Sequence, residues 1–168
     1  PQVRGHVERR INIKDIGDLF LFNTINPLIH KFNEVFQYGK HENIYKEHPY
    51  FLRDFWVNYQ HQHEYQPIHN HGGAYSFVIW LKIPTDFEEQ NKLPNAKGIT
   101  KSKFNSAFCF QYINIFGQIK TYGYQLSPSW ENTLLFFPSQ LQHCVYPFYE
   151  CDEQRISISG NIMLKPTS

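Results

Sequence analysis

Net charge is nearly absent from this chain. Its 16 Lys and Arg against 15 Asp and Glu leave +1 over 168 residues, so no broad field exists to draw in nucleic acid or an anionic membrane. Long apolar runs are also lacking: none approaches the roughly 20 residues of a membrane-crossing helix, and Pro1–His6 has no hydrophobic signal core. The sequence does not begin with methionine, as expected of a chain that is processed, trimmed or taken as a fragment. Cysteine is scarce. Cys109, Cys144 and Cys151 are an odd number without Cys-x-x-Cys spacing, which argues against a disulfide framework and against structural zinc, and for a reducing, cytoplasmic setting. Cys144 follows His143, but neighbours on a strand face opposite ways. It is therefore expected to be a small packing residue rather than part of a Cys-His nucleophile. No internal repeat and no low-complexity tract is present.

Aromatic residues are plentiful, at 17% with 15 Phe and 11 Tyr, and apolar residues reach 41%. That suits one β-rich domain spanning 1–168. Residues 1–13 read as a lead-in strand or arm, and 14–39 as helical support. Asp15 can start a short helix carrying Ile16, Leu19 and Phe20. Asn26-Pro27 reads as an N-cap followed by proline at the first helical position. Leu28, Ile29, Phe32, Val35 and Phe36 follow at helical spacing, ending near Tyr38-Gly39. The core, about 54–163, reads as strands at 55–60, 67–71, 75–83, 108–115, 119–125, 133–137, 143–148 and 155–163, each bounded by turn-forming residues. Tyr75, Phe77, Ile79, Leu81 and Ile83 form a period-2 apolar face. About eight strands without interleaved helices predict a mainly β fold, a jelly roll, with the N-terminal helices covering one sheet. The polar stretch 85–106 is long for a connection, as a lid or an insertion would be.

Nine histidines are many for this length, and four lie between 61 and 71. His61 and His63, beside Gln62 and Glu64, read as solvated. His69 and His71, in Pro67-Ile68-His69-Asn70-His71-Gly72-Gly73, lie two apart, so an extended strand aims both imidazoles at one point. The two glycines leave room for a metal and substrate. His143 can complete such a site after the buried-type strand Leu134–Pro138. The last strand alternates Arg155, Ser157, Ser159 and Asn161 against Ile156, Ile158 and Ile162. Arg155 can fork a carboxylate, with Ser157 adding a hydroxyl.

On these residues the chain resembles the 2-oxoglutarate- and Fe(II)-dependent dioxygenases of the double-stranded β-helix fold, in particular the small oxygenases of marine bacteriophages and bacteria. The matching stretches are Trp56-Val57-Asn58, Pro67 through Val78, Leu135 through His143 and Arg155 through Asn161. The resemblance implies His69 and His143 as iron ligands, and Arg155 with Ser157 as the grip on the distal carboxylate of 2-oxoglutarate. It implies O2 as a co-substrate and oxidative decarboxylation to succinate and CO2, coupled to hydroxylation of a second substrate. Asn58 and Asn161 are expected either to contact the co-substrate or the ligands or to have structural roles.

The family commonly has His-x-Asp or His-x-Glu where this chain has His71. His71 as a ligand is the favoured reading. A carboxylate from elsewhere, such as Glu64, and a degenerate site are the alternatives. Two other readings of the whole chain stand beside the oxygenase: a three-His cupin-like metal enzyme without 2-oxoglutarate, and a non-catalytic jelly-roll binding module. Tyr59, Tyr65, Tyr75, Trp80, Tyr122 and Tyr124 can line a pocket or belong to the core. The second substrate and the oligomeric state stay open. A cytoplasmic location is expected, that of the host if the chain is phage-encoded.

Overall fold

The computed structural model describes residues 7, 9–37, 50–97 and 103–165. Nine strands occupy the described residues: β1 (Arg9–Asn12), β2 (Tyr50–Gln60), β3 (Gln66–His69), β4 (Tyr75–Lys82), β5 (Ala107–Ile113), β6 (Ile119–Gln125), β7 (Leu134–Pro138), β8 (Gln142–Val145) and β9 (Arg155–Leu164). They form two antiparallel sheets, ordered β1-β2-β9-β4-β7 and β3-β8-β5-β6, so the expected jelly-roll architecture is present. Consecutive strands mostly alternate between sheets, which is how one chain closes two faces over a single core.

The five-stranded sheet is buried on both faces for different reasons. Its outer face carries Tyr75, Phe77 and Ile162, covered by Leu21, Ile25 and Ile29 of the N-terminal helical segment, with Phe20 and Phe32 packed alongside. Each such burial contributes about 1.5–3 kcal/mol. Phe77 lies against β9 at Gly160, where a Cβ would come within 2.6 Å of its ring. Between the sheets a second cluster holds Val78, Trp80, Ile83, Phe108, Phe110, Leu126 and Phe137.

The helical segment departs from the expected capping. Asn26 is itself helical (φ −59°, ψ −45°), and its N–H bonds the Leu21 carbonyl across a widened π turn, Leu21–Ile25. That turn absorbs Pro27, which supplies no N–H, and helix α1 (Asn26–Phe36) continues from it. The cap is Asp15, whose carboxylate accepts the Phe20 and Leu21 N–H groups. Val35 and Phe36 are exposed, at 59% and 61%, because the buried stripe runs Leu21, Ile25, Ile29, Phe32. Gln37 ends α1 in the left-handed region, and Tyr38-Gly39 lies outside the described residues.

The predicted period-2 face of β4 also breaks. A register shift between Trp80 and Lys82 leaves Leu81 42% exposed and turns Ile83 into the inter-sheet core. The segment 85–97 carries a short helix, α2 (Phe87–Gln90), capped by Asp86. It is tied down by Asn91–Asn105 bonds and by Gln90 to Tyr149. Cys144 pairs with Cys109 across β5 and β8, facing away from His143 into a cluster with Phe87 and Ala107. Cys109 donates to Cys144, which pushes the Cys109 thiol up and pulls Cys144 down. No helix among the described residues is long and apolar enough to cross a membrane.

Candidate metal centre and anion pocket

Pairing of β3 with β8 sets His69 directly opposite His143. Strand β3 ends there, earlier than the expected 67–71, and His71 lies beyond it. The chain turns because the His71 N–H bonds the Ser139 carbonyl at 2.9 Å and Gly73 adopts φ 122°. A Cβ on Gly73 would meet the Ile162 carbonyl and Met163 sulfur, both at 2.7 Å. His71 nonetheless reaches the other two. Ring centroids are 4.2 Å apart for His69–His143 and 5.0 Å for both pairs involving His71. One nitrogen from each lies within 4.8 Å of the others.

The donor set fits a divalent transition metal. His69 Nδ1 donates to the Pro67 carbonyl at 2.7 Å and His143 Nδ1 to the Leu141 carbonyl at 2.9 Å. Both bonds go back two residues along the same chain and set the tautomer, leaving each Nε2 lone pair free. Burial pushes His143 down to about 3, helped by neighbouring His69. Burial, then His69 and Arg10, push His71 down to about 4. His69 is lowered by burial against the opposing Pro67 bond. All three imidazoles are therefore neutral near pH 7 and able to ligate. Glu64 does not join them: its carboxylate accepts the His61 N–H at 2.8 Å, closing the turn before β3. His61 bonds Gln154 at 2.7 Å and His63 packs on Tyr149; both are exposed, as their setting implied.

The three histidines line a cavity of about 380 Å³ between the sheets. Its floor is the polar face of β9 and its neighbours. Register places Gln60 against Arg155, Asn58 and Trp80 either side of Ser157, Trp56 and Val78 either side of Ser159, and Asp54 and Ser76 either side of Asn161. Asn161 is held at both ends of its amide, donating to Asp54 and accepting from Ser76. Asn58, Ser157 and Ser159 line the cavity with no side-chain hydrogen bond among the described residues. Of the named aromatics, Trp80 lines the cavity, Tyr75 is in the outer-face core, Tyr124 packs on the inter-sheet core, and Tyr65 and Tyr122 are exposed.

Arg155 closes one end of this floor and is 2% exposed. Its Nε and Nη2 donate to Gln60 Oε1 at 3.0 and 2.9 Å. Nη2 also reaches the Tyr146 carbonyl, and Nη1 the Ser106 carbonyl and hydroxyl. Every acceptor is neutral. Burial alone pulls its pKa down to about 9, with no carboxylate opposing. Gln60 and Ser106 were not among the residues singled out from sequence. Gln60 had a signal, since Asp54, Trp56, Asn58 and Gln60 alternate on one face of β2; Ser106 had none.

A cluster of neutral histidines and a buried guanidinium in one jelly-roll cavity can hold a metal ion beside an anion. Residues 54–161, more than half of the chain, match the family described as "Putative 2OG-Fe(II) oxygenase", and the chain belongs to that family, which uses Fe(II) and 2-oxoglutarate. The fold is shared with an oxidoreductase of the 2OG-Fe(II) oxygenase family from Burkholderia pseudomallei (TM-score 0.54, 13% identity, 92% of this chain and 66% of that one). It is also shared with the viral collagen prolyl hydroxylase of Paramecium Bursaria Chlorella virus-1, in its 2OG complex (TM-score 0.51, 12% identity, 92% of this chain and 77% of that one). The chain thus spans just under two thirds of the first of these proteins. No curated protein matches it significantly.

Proposed function

We propose that this chain is an Fe(II)- and 2-oxoglutarate-dependent oxygenase in which His69, His71 and His143 hold the metal and Arg155 with Ser157 takes the distal carboxylate of 2-oxoglutarate. When bound, Fe(II) and the oxoacid supply oxidative decarboxylation coupled to oxidation of a second substrate by O2. The protein's own residues bind, orient and exclude water. His69 and His143 are pre-oriented by their backbone acceptors, so little is spent on fixing the rings. Asn58 and Ser157 line the same cavity as Arg155 and the histidines and offer polar groups without a side-chain hydrogen bond among the described residues. Asn161 acts by positioning, through Ser76 and Asp54. Val78, Trp80, Phe108 and Phe137 wall the cavity against solvent.

The observation that carries this reading is Arg155. A buried guanidinium without an anion costs several kcal/mol (about that order) relative to a paired one. A carboxylate arriving from the cavity removes that cost. The three-His cupin and the binding module both leave Arg155 with neutral acceptors alone. A cytoplasmic setting belongs to the same reading and rests on the odd count of cysteines. The test is an anaerobic titration of the Fe(II)-loaded protein with 2-oxoglutarate, read as metal-to-oxoacid charge-transfer absorbance, followed by succinate release in air. Both signals should appear and both should be lost in Arg155→Gln. No absorbance band with Fe(II) demonstrably bound would overturn the reading.

A further inference from the structure

A second guanidinium faces the same cavity. Arg10, on the edge strand β1, pairs in register with Asn58 and lines the cavity beside Asp54, Trp56 and His71. Its Cζ lies 3.9 Å from the Trp56 ring centroid. Trp56 is buried and meets the His71 ring edge-on at 6.1 Å. Arg10 is thus two ring contacts from the histidine cluster. Stacking on an indole fixes the guanidinium plane but uses none of its N–H groups. Among the described residues none of those N–H groups has a hydrogen-bond acceptor. Among the described residues lining the cavity, the one carboxylate, Asp54, is already taken by Arg53 Nε and Nη2 at 3.0 and 2.8 Å and by Asn161 Nδ2 at 3.0 Å. The Arg53–Asp54 pair is neutral as a unit, so among the described residues Arg10 leaves this wall with a net positive charge.

Resting on the function proposed above, we infer that Arg10 selects the second substrate by binding an oxyanion on it, a carboxylate or a phosphate. Arg155 lies at the other end of the same floor and is already enclosed by Gln60, Ser106 and Tyr146. The two guanidinium groups therefore serve different anions: Arg155 the co-substrate and Arg10 the molecule to be oxidised. A guanidinium resting over Trp56 offers a planar fork for a bidentate contact, which an ammonium would not reproduce.

The test uses protein loaded with Zn(II) and saturating 2-oxoglutarate, titrated with N-acetylglycine, methyl phosphate and the uncharged N-acetylglycinamide, and followed by tryptophan fluorescence. At least one anionic probe should bind about tenfold or more tightly than the amide. Arg10→Gln should abolish that preference and Arg10→Lys should restore part of it. Whichever probe keeps the preference names the oxyanion. Equal binding of acid, phosphate and amide, or an undiminished preference in Arg10→Gln, overturns the inference. A parallel 2-oxoglutarate titration separates the two ideas. Arg10→Gln should bind 2-oxoglutarate like the parent, whereas weak binding in Arg10→Gln with normal binding in Arg155→Gln would reassign the co-substrate to Arg10. If the parent binds no 2-oxoglutarate at all, the probe titration on Zn(II)-loaded protein still decides whether Arg10 is an anion site.

Discussion

Replacing Gln60 with glutamate keeps the side chain's shape and makes the acceptor held by Arg155 anionic. In the parent, Gln60 Oε1 occupies the Nε and Nη2 edge of a guanidinium that is 2% exposed, the edge that a bidentate carboxylate would use. An arriving 2-oxoglutarate carboxylate has to displace a neutral amide oxygen. In Gln60→Glu it has to displace a charged one from a low-dielectric site. The guanidinium is ionised, so the bonds are charge-assisted with either acceptor; what the substitution adds is a full counter-charge, whose attraction is only partly offset by its desolvation. A net effect of about 1–2 kcal/mol corresponds to a 2-oxoglutarate Kd weakened about 5- to 30-fold. The substitution also loses the Gln60 Nε2 donation to the Glu64 carbonyl at 2.6 Å, so circular dichroism and thermal melting should accompany the titration. Binding is read anaerobically from the charge-transfer absorbance of the Fe(II)-loaded protein. Fe(II) affinity without the oxoacid should be unchanged, because Gln60 contacts none of the histidines. Gln60→Ala removes the competing oxygen and should bind 2-oxoglutarate at least as well as Gln60→Glu. An unchanged Kd in a folded Gln60→Glu would refute the assignment of the carboxylate to this edge of Arg155.

His71→Ala should weaken Fe(II) binding by about tenfold or more, measured by metal titration, while His71→Asp should retain it by restoring a carboxylate ligand; wild-type affinity in His71→Ala would remove His71 from the ligand set. Gly160→Ala should destabilise the protein by about 1–3 kcal/mol, seen as a lower Tm, because its Cβ would lie 2.6 Å from the Phe77 ring and 2.8 Å from the Asp54 carbonyl; an unchanged Tm would mean that β9 and Phe77 are not so closely packed. Metal-free protein should lose stability as pH falls below 6.5. The unfolded His143 takes up a proton there while the folded one, pushed down to about 3, does not. The loss is about 1.4 kcal/mol per pH unit for such a group, complete once pH has fallen through the folded value. Urea midpoints between pH 7 and 4.5 check it, and His143→Gln should flatten the slope.

Much of the fold was legible because its signals are local. Alternating aromatic and β-branched residues bounded by Gly, Pro and Asn mark each strand, and most observed ends fall within two residues of those read from the pattern. β2 and β8 are exceptions: β2 begins at Tyr50, five residues before the expected start, and β8 stops at Val145, three short of 148. The errors share a cause. Asn26-Pro27 looks like a helix start, but burial of Leu21 and Ile25 carries the helix through it with a π turn. The apolar period of β4 continues in sequence past Trp80, while a bulge, set by pairing with β9, turns Leu81 out and Ile83 in. In each case a tertiary contact outweighs a weak local preference.

For the site, sequence alone determined which chemistry is available. His69 and His71 lie two apart in sequence, although a turn onto Ser139 rather than a continued strand brings His71 in, and the polar face of β9 follows from alternation along one strand. Only the tertiary structure decided that His143 sits opposite His69, because strand register depends on the whole sheet. It alone placed Arg155 in a nest of neutral acceptors with Gln60 across its fork, and set Arg10 from the far edge strand over Trp56 beside His71. Residues far apart in sequence meet only when both faces of the sheet are buried at once, and no window along the chain contains that constraint.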